Sequence, residues 1–254
     1  MNLFEKTLIG SHIFKALFLK KKSPLIFVLH ITYRCNLRCR YCGYWERKEK
    51  EMDTRHVCSL IDQFYHLGTK FIVLTGGEPL LREDLAEIIG FCKERGMLVS
   101  VNSNGTLVRE RIHSILNADA VKLSLDGPRD INDYVKGRGV YDKVIDAIKV
   151  CLEKRIKVSI TTVLSRYNIK YISCLLDIAK ELNVSVSFQP AAQSHCGNKD
   201  KDISLELPDE TEFKRAVSYL IREKDGGNKQ ISNSKLGLKH LYCWPRVERI
   251  PCLF

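Results

Sequence analysis

Short apolar runs of strand length alternate with helical patterns from Pro24 to Pro190. This alternation predicts βα units whose strands form one parallel sheet. The runs are mostly rich in Val, Ile and Leu, as strands covered on both faces should be. Six runs qualify: Leu25 to Tyr33, Phe71 to Thr75, Leu98 to Asn102, Ala120 to Leu125, Lys157 to Leu164 and Val184 to Gln189. Six units are too few for a closed barrel of eight, so the sequence predicts an open α/β structure.

Between these runs, apolar residues recur at helical spacing, and two of the stripes end near a glycine, Gly68 or Gly96. A less clear segment from Leu107 to Leu116 completes the set. The four clear stripes are Val57, Leu60, Ile61, Phe64 and Leu67; Leu85, Ile88, Ile89 and Cys92; Val144, Ile148, Cys151 and Leu152; and Ile172, Leu175, Leu176, Ala179 and Leu182.

The alternation stops after Pro190. A later helix is predicted to begin at Pro208-Asp209-Glu210 and to end at Gly226-Gly227. We therefore predict three parts: a basic amphipathic N-terminal helix in residues 1–23, the α/β core in residues 24–191 and a short α-rich extension in residues 192–254.

The N-terminal stretch from Leu3 to Lys22 mixes apolar residues with lysines. Lys6 and Lys15 interrupt the apolar run, which therefore predicts neither a signal peptide nor a spanning helix. A basic amphipathic helix remains. We favour its packing on the barrel slightly over a weak contact with a membrane surface.

The chain has 254 residues, of which 44% are hydrophobic, and a formal charge of +11, so one large globular core is expected. Lys and Arg are spread through the helices rather than gathered in one tract, which argues against nucleic acid as a partner.

The 10 cysteines lack the short, loop-rich context of a disulfide scaffold, and Cys58, Cys92, Cys151 and Cys174 fall within helical patterns as expected for small buried side chains. A cytoplasmic location fits better, with a position at the membrane periphery as the alternative.

Cys35, Cys39 and Cys42 follow the first predicted strand at C-x3-C-x2-C spacing. Three thiols so arranged can hold three irons of an iron-sulfur cube and leave the fourth iron open for a ligand. The alternative is a structural zinc site, but zinc in a closed site needs four ligands, and no fourth Cys or His lies close by.

Polar and glycine-containing motifs follow the next strands, at the edge where functional groups of parallel barrels collect. The two glycines of Gly76-Gly77-Glu78-Pro79 permit a close approach of backbone to a ligand, and Glu78 can accept hydrogen bonds from an ammonium group. The other strand-end candidates are Asn102, Ser124 and Gln189, each of which has an ordinary structural role as its alternative.

The cysteine triad and the Gly-Gly-Glu-Pro motif together resemble the radical S-adenosylmethionine (radical SAM) superfamily over about Pro24 to Pro190. The resemblance implies a partial (β/α)6 TIM-like barrel that binds a 4Fe-4S cluster through the triad. It further implies that S-adenosylmethionine binds at the open iron and is cleaved to a 5′-deoxyadenosyl radical. A one-electron donor such as flavodoxin or ferredoxin is then required.

The resemblance also implies roles for several residues. The motif from Gly76 to Pro79 would hold the amino group of S-adenosylmethionine. Arg138 would clamp its carboxylate, and Tyr41 would lie beside its adenine. We expect Asn102, Ser124 and Gln189 to line the same edge. No general base can be named from the sequence.

Cys243 and Cys252 lie near the C-terminus, beside Trp244-Pro245 and Pro251. Some radical SAM enzymes carry further clusters in SPASM or twitch extensions, but two cysteines are too few for a full cluster site. Cys196 is a third candidate ligand. We favour the interpretation that the pair belongs to an incomplete auxiliary site, as expected of a truncated chain. The alternative is a purely structural pair. A second cluster is not favoured.

The leading hypothesis is a radical SAM enzyme that acts on a peptide, a lipid or a small metabolite. The alternative from another class is a non-catalytic iron-sulfur or zinc protein that binds nucleic acid through its positive charge.

Overall fold

The computed structural model describes residues 24–191 and 206–244, together with Thr7 and Gly10. The predicted N-terminal helix therefore lies outside the described residues except for Thr7 and Gly10. Cys196 and Cys252 of the proposed auxiliary site also lie outside them.

Six parallel strands form one sheet in the order of the chain, β1 to β6. They are β1 (Ile26–Thr32), β2 (Phe71–Gly76), β3 (Leu98–Ser103), β4 (Ala120–Ser124), β5 (Lys157–Leu164) and β6 (Ser185–Pro190). The first and last strands of this sheet do not pair with each other, so the barrel is open. The predicted partial barrel is confirmed, and each predicted strand lies within two residues of an observed one.

Helices lie between consecutive strands and cover the outer face of the sheet, and two further helices follow β6. They are α1 (Thr54–His66), α2 (Leu85–Glu94), α3 (Val108–Arg111), α4 (Arg129–Lys136), α5 (Val140–Glu153), α6 (Ile172–Glu181), α7 (Glu210–Asp225) and α8 (Lys235–Tyr242). The unclear segment before β4 is α3 followed by the 3-10 helix Ile112–Ile115. Asp53 begins α1, because its side chain accepts a hydrogen bond from the backbone N–H of His56 at 2.9 Å.

The apolar core lies between the sheet and the helices. Leu74, Val101, Leu123 and Ile160 are fully buried on the outer face of the strands. Two leucines assigned to buried stripes were placed wrongly: Leu67 is 55% exposed and Leu152 is 42% exposed. Each sits at or next to the C-terminal end of its helix, just before the chain turns toward the next strand.

The inner face of the sheet differs from the prediction that both faces would be apolar. Side chains alternate between the two faces of a strand, so polar residues at alternate positions, such as Ser100, Lys122 and Ser159, share the inner face. These residues are half-buried rather than packed. The inner face therefore mixes these polar residues with apolar ones such as Phe71, Val73 and Leu98.

The C-terminal extension covers the outer edge of β6. The backbone N–H of Val186 donates to the carbonyl of Gln230 at 2.6 Å, and that of Ser232 donates to the carbonyl of Val186 at 2.8 Å. Asn233 continues the contact with two side-chain hydrogen bonds to the backbone of Phe188. These bonds satisfy an edge that would otherwise expose unpaired backbone groups. No helix in the described part of the chain is both long and apolar enough to cross a membrane.

Candidate active site

The cysteine loop, residues 33–43, follows β1 at the carboxyl edge of the sheet. Cys35, Cys39 and Cys42 are half-buried, and none of the described cysteines is in a disulfide. A tight turn brings two of them together, since the backbone N–H of Cys42 donates to the carbonyl of Cys39 at 3.0 Å. Burial raises the pKa of the Cys35 and Cys39 thiols. The loop thus presents three unbridged thiols at the predicted edge.

The arrangement of these thiols fits a cluster better than a single ion. Among the described residues, no three Cys, His, Asp or Glu side chains converge on one metal position. A closed zinc site requires such convergence. An iron-sulfur cube takes one thiolate at each iron, so its ligands need not meet at one point.

Gly76 and Gly77 are required by a close approach between two loops. A Cβ atom at Gly76 would lie 2.1 Å from the carbonyl oxygen of Thr32, and one at Gly77 would lie 2.2 Å from that of Arg34. The backbone N–H groups of Gly77 and Glu78 donate to these same two oxygens, each at 2.8 Å. The space beside the Cα atoms of the glycines is thus filled by the end of β1 and the start of the cysteine loop, and the approach of their backbone to a ligand stays a prediction.

Glu78 is fully buried and directed toward the loop after β3. Its carboxylate accepts hydrogen bonds from the backbone N–H of Asn104 at 2.7 Å, from the hydroxyl of Ser103 at 2.8 Å and from the backbone N–H of Leu80 at 3.1 Å. Burial raises the pKa of Glu78 to about 7, although these hydrogen bonds favour the ionised form. Glu78 therefore links the loop after β2 to the end of β3 and the loop after it through hydrogen bonds.

This raised pKa predicts a pH-dependent stability. A carboxyl with a pKa near 4.5 when unfolded and about 7 when folded costs stability as the pH rises between these values. We expect the free energy of unfolding to fall by about 2 to 3 kcal/mol from pH 5 to pH 8 through this group. Urea unfolding should show that slope in the wild type and a flatter one in Glu78→Gln. Equal slopes in the two proteins would contradict the assignment.

A second side-chain network joins the third loop to the cysteine loop. The amide of Asn104 donates to Asn36 at 2.8 Å, and Asn36 donates to Thr106 at 2.8 Å. The same Asn104 amide lies 3.9 Å from the sulfur of Cys35. The position of Cys35 therefore depends on the loop after β3, through residues that the sequence did not single out.

A buried ion pair secures the other end of the cysteine loop. The ammonium of Lys136 lies 2.9 Å from the carboxylate of Asp126, with side-chain exposures of 2% and 0%. The hydroxyl of Tyr41 donates to the same carboxylate at 2.6 Å. Burial opposes the charge on Lys136, but Asp126 outweighs this effect and raises the pKa of Lys136. The side chains of Tyr41, Asp126 and Lys136 thus form one polar triad. Because the hydroxyl of Tyr41 is engaged in this triad, only its ring remains for the predicted contact with adenine.

The end of α4 also contacts the cysteine loop directly. Arg40 donates through its backbone N–H to the carbonyl of Val135 and through its guanidinium to that of Tyr134, both at 3.0 Å. The guanidinium carbon lies 4.0 Å above the ring of Tyr134. Both ends of the loop are therefore held against the core.

The remaining predicted residues lie at the same edge. Ser124 ends β4, Gln189 is the exposed penultimate residue of β6, and Asn102 lies on the inner face of β3. Pro79 is buried at the start of the 3-10 helix Pro79–Leu81. Arg138 is exposed just after α4, between Gly137 and Gly139.

Asp126 and Lys136 were not predicted as site residues. The one signal in the sequence was the strand-end position of Asp126.

The sequence profile of the Radical SAM superfamily matches residues 29–177. The chain belongs to this superfamily. Enzymes of the radical SAM superfamily use a 4Fe-4S cluster and S-adenosylmethionine, and the cysteine loop supplies thiols of the kind that such a cluster requires. These comparisons give no support to a non-catalytic protein that binds nucleic acid.

Relatives within the radical SAM superfamily act on different substrates. The Fe-coproporphyrin III synthase of Methanosarcina barkeri is 32% identical over 215 residues, covering 80% of this chain and 52% of that protein. The PqqA peptide cyclase of Streptomyces rochei is 28% identical over 167 residues, covering 63% and 46%. The crystal structure of Streptococcus suis SuiB bound to S-adenosylmethionine matches with a TM-score of 0.70 at 18% identity, covering 98% of this chain and 60% of that one. The chain spans about half the length of the curated relatives named here.

Proposed function

We propose that Cys35, Cys39 and Cys42 hold the 4Fe-4S cluster and that S-adenosylmethionine binds beside it across the carboxyl edge of the sheet. The observation that carries this proposal is that three unbridged thiols share one loop, which the loops after β2, β3 and β4 fasten in place. Such fixation matters because a bound cofactor reacts only in a narrow range of positions.

When bound, the reduced cluster supplies the electron that cleaves S-adenosylmethionine to a 5′-deoxyadenosyl radical. The residues of this chain bind and orient the cofactors and keep the site from side reactions. A flavodoxin or a ferredoxin would deliver the electron.

The geometry refines the proposed roles of individual residues. Glu78 acts by positioning, because its carboxylate is enclosed and already accepts three hydrogen bonds from the protein. The polar backbone of the loop from Gly76 to Pro79 is then the part that faces the amino group of the cofactor. Asn102, Ser124, Gln189 and the ring of Tyr41 line the remainder of the edge.

Two substrate classes follow from the relatives. The greater identity to the Fe-coproporphyrin III synthase favours a small carboxylated metabolite such as a tetrapyrrole. The PqqA peptide cyclase favours a peptide instead. Product analysis by mass spectrometry with a porphyrin precursor and with a candidate peptide would separate them.

Arg138 is the proposed clamp for the methionyl carboxylate, because it is an exposed arginine that follows α4, whose end contacts the cysteine loop. We expect Arg138→Ala to weaken binding of S-adenosylmethionine by about 1.5 to 3 kcal/mol, the value of a charge-assisted hydrogen bond. Equilibrium dialysis with the reconstituted protein measures this affinity. Arg215→Ala, which removes another exposed arginine from α7, is the matched control and should bind as the wild type does. Equal affinities in the two variants would place the clamp elsewhere.

A further inference from the structure

The solvent side of the cysteine loop is strongly basic. This loop, residues 33–43, contains Arg34, Arg38 and Arg40 and no acidic residue. All three arginines are exposed, whereas Cys35 and Cys39 between them are half-buried. The loop therefore presents its arginines to solvent and keeps its thiols closer to the core. We call the exposed surface formed by Arg34, Arg38 and Arg40 the arginine face.

Two charges of the arginine face have no carboxylate partner in the part of the chain that the structure describes. Arg34 is paired, since its guanidinium lies 2.9 Å from the carboxylate of Glu51. Arg38 and Arg40 instead donate to backbone carbonyls, and no carboxylate of the described residues pairs with either. A surface with such uncompensated positive charge attracts acidic proteins and disfavours basic ones.

Both of these arginines are also held in place. Arg38 donates to the carbonyl of Cys35 at 2.7 Å, and its guanidinium carbon lies 4.7 Å from the centre of the Trp45 ring. Arg40 is held in the same way, by the carbonyl and the ring of Tyr134. An aromatic ring stabilises a cation that lies over it. A side chain that is already ordered loses less conformational entropy when a partner binds, so both arginines suit a docking surface.

The arginine face adjoins the proposed cluster ligands. Arg38 and Arg40 flank Cys39 in the sequence, and the carbonyl that Arg38 contacts belongs to Cys35. The proposed reaction needs one electron from a donor outside the chain, and an electron passes efficiently only when the donor comes close to the acceptor. A protein bound to the arginine face would bring its redox group close to the three thiols.

We propose that the arginine face is the docking surface for a small acidic electron-transfer protein of the flavodoxin or ferredoxin kind. Arg38 and Arg40 bind its carboxylates, and Arg34 contributes less because Glu51 neutralises it. In the transfer step the donor is oxidised by one electron and the cluster is reduced by one, and no covalent bond forms or breaks. This inference rests on the proposed function, because it names the surface through which the same enzyme would receive its electron.

Calorimetric titration of the reconstituted 254-residue chain with an oxidised, acidic flavodoxin tests the proposal. We expect binding at low salt that weakens as salt screens the charges. Arg38→Gln combined with Arg40→Gln should weaken this binding severalfold. The matched control is Arg215→Gln combined with Arg222→Gln, which removes two exposed arginines from α7 and changes the net charge equally. The control should bind flavodoxin as the wild type does.

Arginine footprinting of the wild type gives a second measurement that needs no variant. Phenylglyoxal modifies exposed guanidinium groups, and peptide mass spectrometry reads the rate at each arginine. Flavodoxin should slow the modification of Arg38 and Arg40 severalfold and leave Arg215 unchanged. Equal protection of all three arginines, or protection of none, would overturn the proposal. So would equal losses of flavodoxin binding in the two double variants.

Deoxyadenosine formation with reduced methyl viologen reports separately on the proposed function. Methyl viologen is a small cation, so it does not depend on a basic docking surface. A preparation that forms deoxyadenosine with methyl viologen but shows no protection by flavodoxin contradicts only the arginine face. Protection of Arg38 and Arg40 without any deoxyadenosine contradicts only the radical chemistry.

Discussion

Replacement of Cys35, Cys39 and Cys42 by alanine should remove essentially all cluster iron from the chain. The wild type, reconstituted anaerobically, is expected to bind about four irons, because one cube takes its protein ligands from the three thiols of the cysteine loop. Iron analysis and the visible absorption spectrum measure the loss. The effect should be complete, because the triple replacement removes every protein ligand that the cluster is proposed to have.

Two controls sharpen this experiment. Cys174→Ser removes a half-buried thiol from α6, outside the cysteine loop, and should retain about four irons. Replacement of Cys243 and Cys252 by serine should also retain them, because two thiols cannot complete an auxiliary cluster. About eight irons in the wild type, halved in that double variant, would instead show a second cluster, and Cys196 would be the next ligand to test.

Asp126→Asn should be the most destabilising single substitution at the site. It leaves the ammonium of Lys136 buried without its counter-ion, and breaking a buried pair from one side costs about 3 to 5 kcal/mol. Urea unfolding measures this loss. The matched control is Asp142→Asn, which breaks an ion pair with Arg129 whose side chains are 60% and 54% exposed and should leave the free energy of unfolding nearly unchanged.

A double variant tests whether the two charges act as a pair. Asp126→Asn combined with Lys136→Met removes both charges, so its cost should be well below the sum of the two single costs. Tyr41→Phe removes the hydrogen bond that the hydroxyl donates to Asp126 and the longer one that it accepts from Lys136, but leaves both charges in place, so it should cost about 1 kcal/mol. Additive losses in the double variant would contradict the buried pair.

The strands and helices of this chain were predictable because their apolar periods are strong and local. The cysteine triad was equally readable, since its three ligands lie within one loop. The residues elsewhere in the chain that contact this loop could not be predicted in the same way. Asp126 precedes α4 and Lys136 ends it, at no recognisable spacing, so only the folded chain reveals their contact.

The orientation of individual side chains also could not be predicted from the sequence. Glu78 was expected to face a ligand, but its carboxylate is oriented by Ser103 and Asn104, at the end of β3 and in the loop that follows. The polar positions of the inner face were encoded in the sequence, because Ser100 and Lys122 alternate with buried valines and leucines. That alternation was hidden by the overall apolar character of the strands. The roles assigned to Arg138, Asn102, Ser124 and Gln189 remain proposals.

The most direct test of the proposed function is the formation of 5′-deoxyadenosine by the reconstituted chain with a strong reductant and S-adenosylmethionine. Liquid chromatography with mass spectrometry quantifies the product. The wild type and Cys174→Ser should both form deoxyadenosine, and the triple cysteine variant should form none. Deoxyadenosine formation by the triple variant at the rate of the wild type would contradict the account.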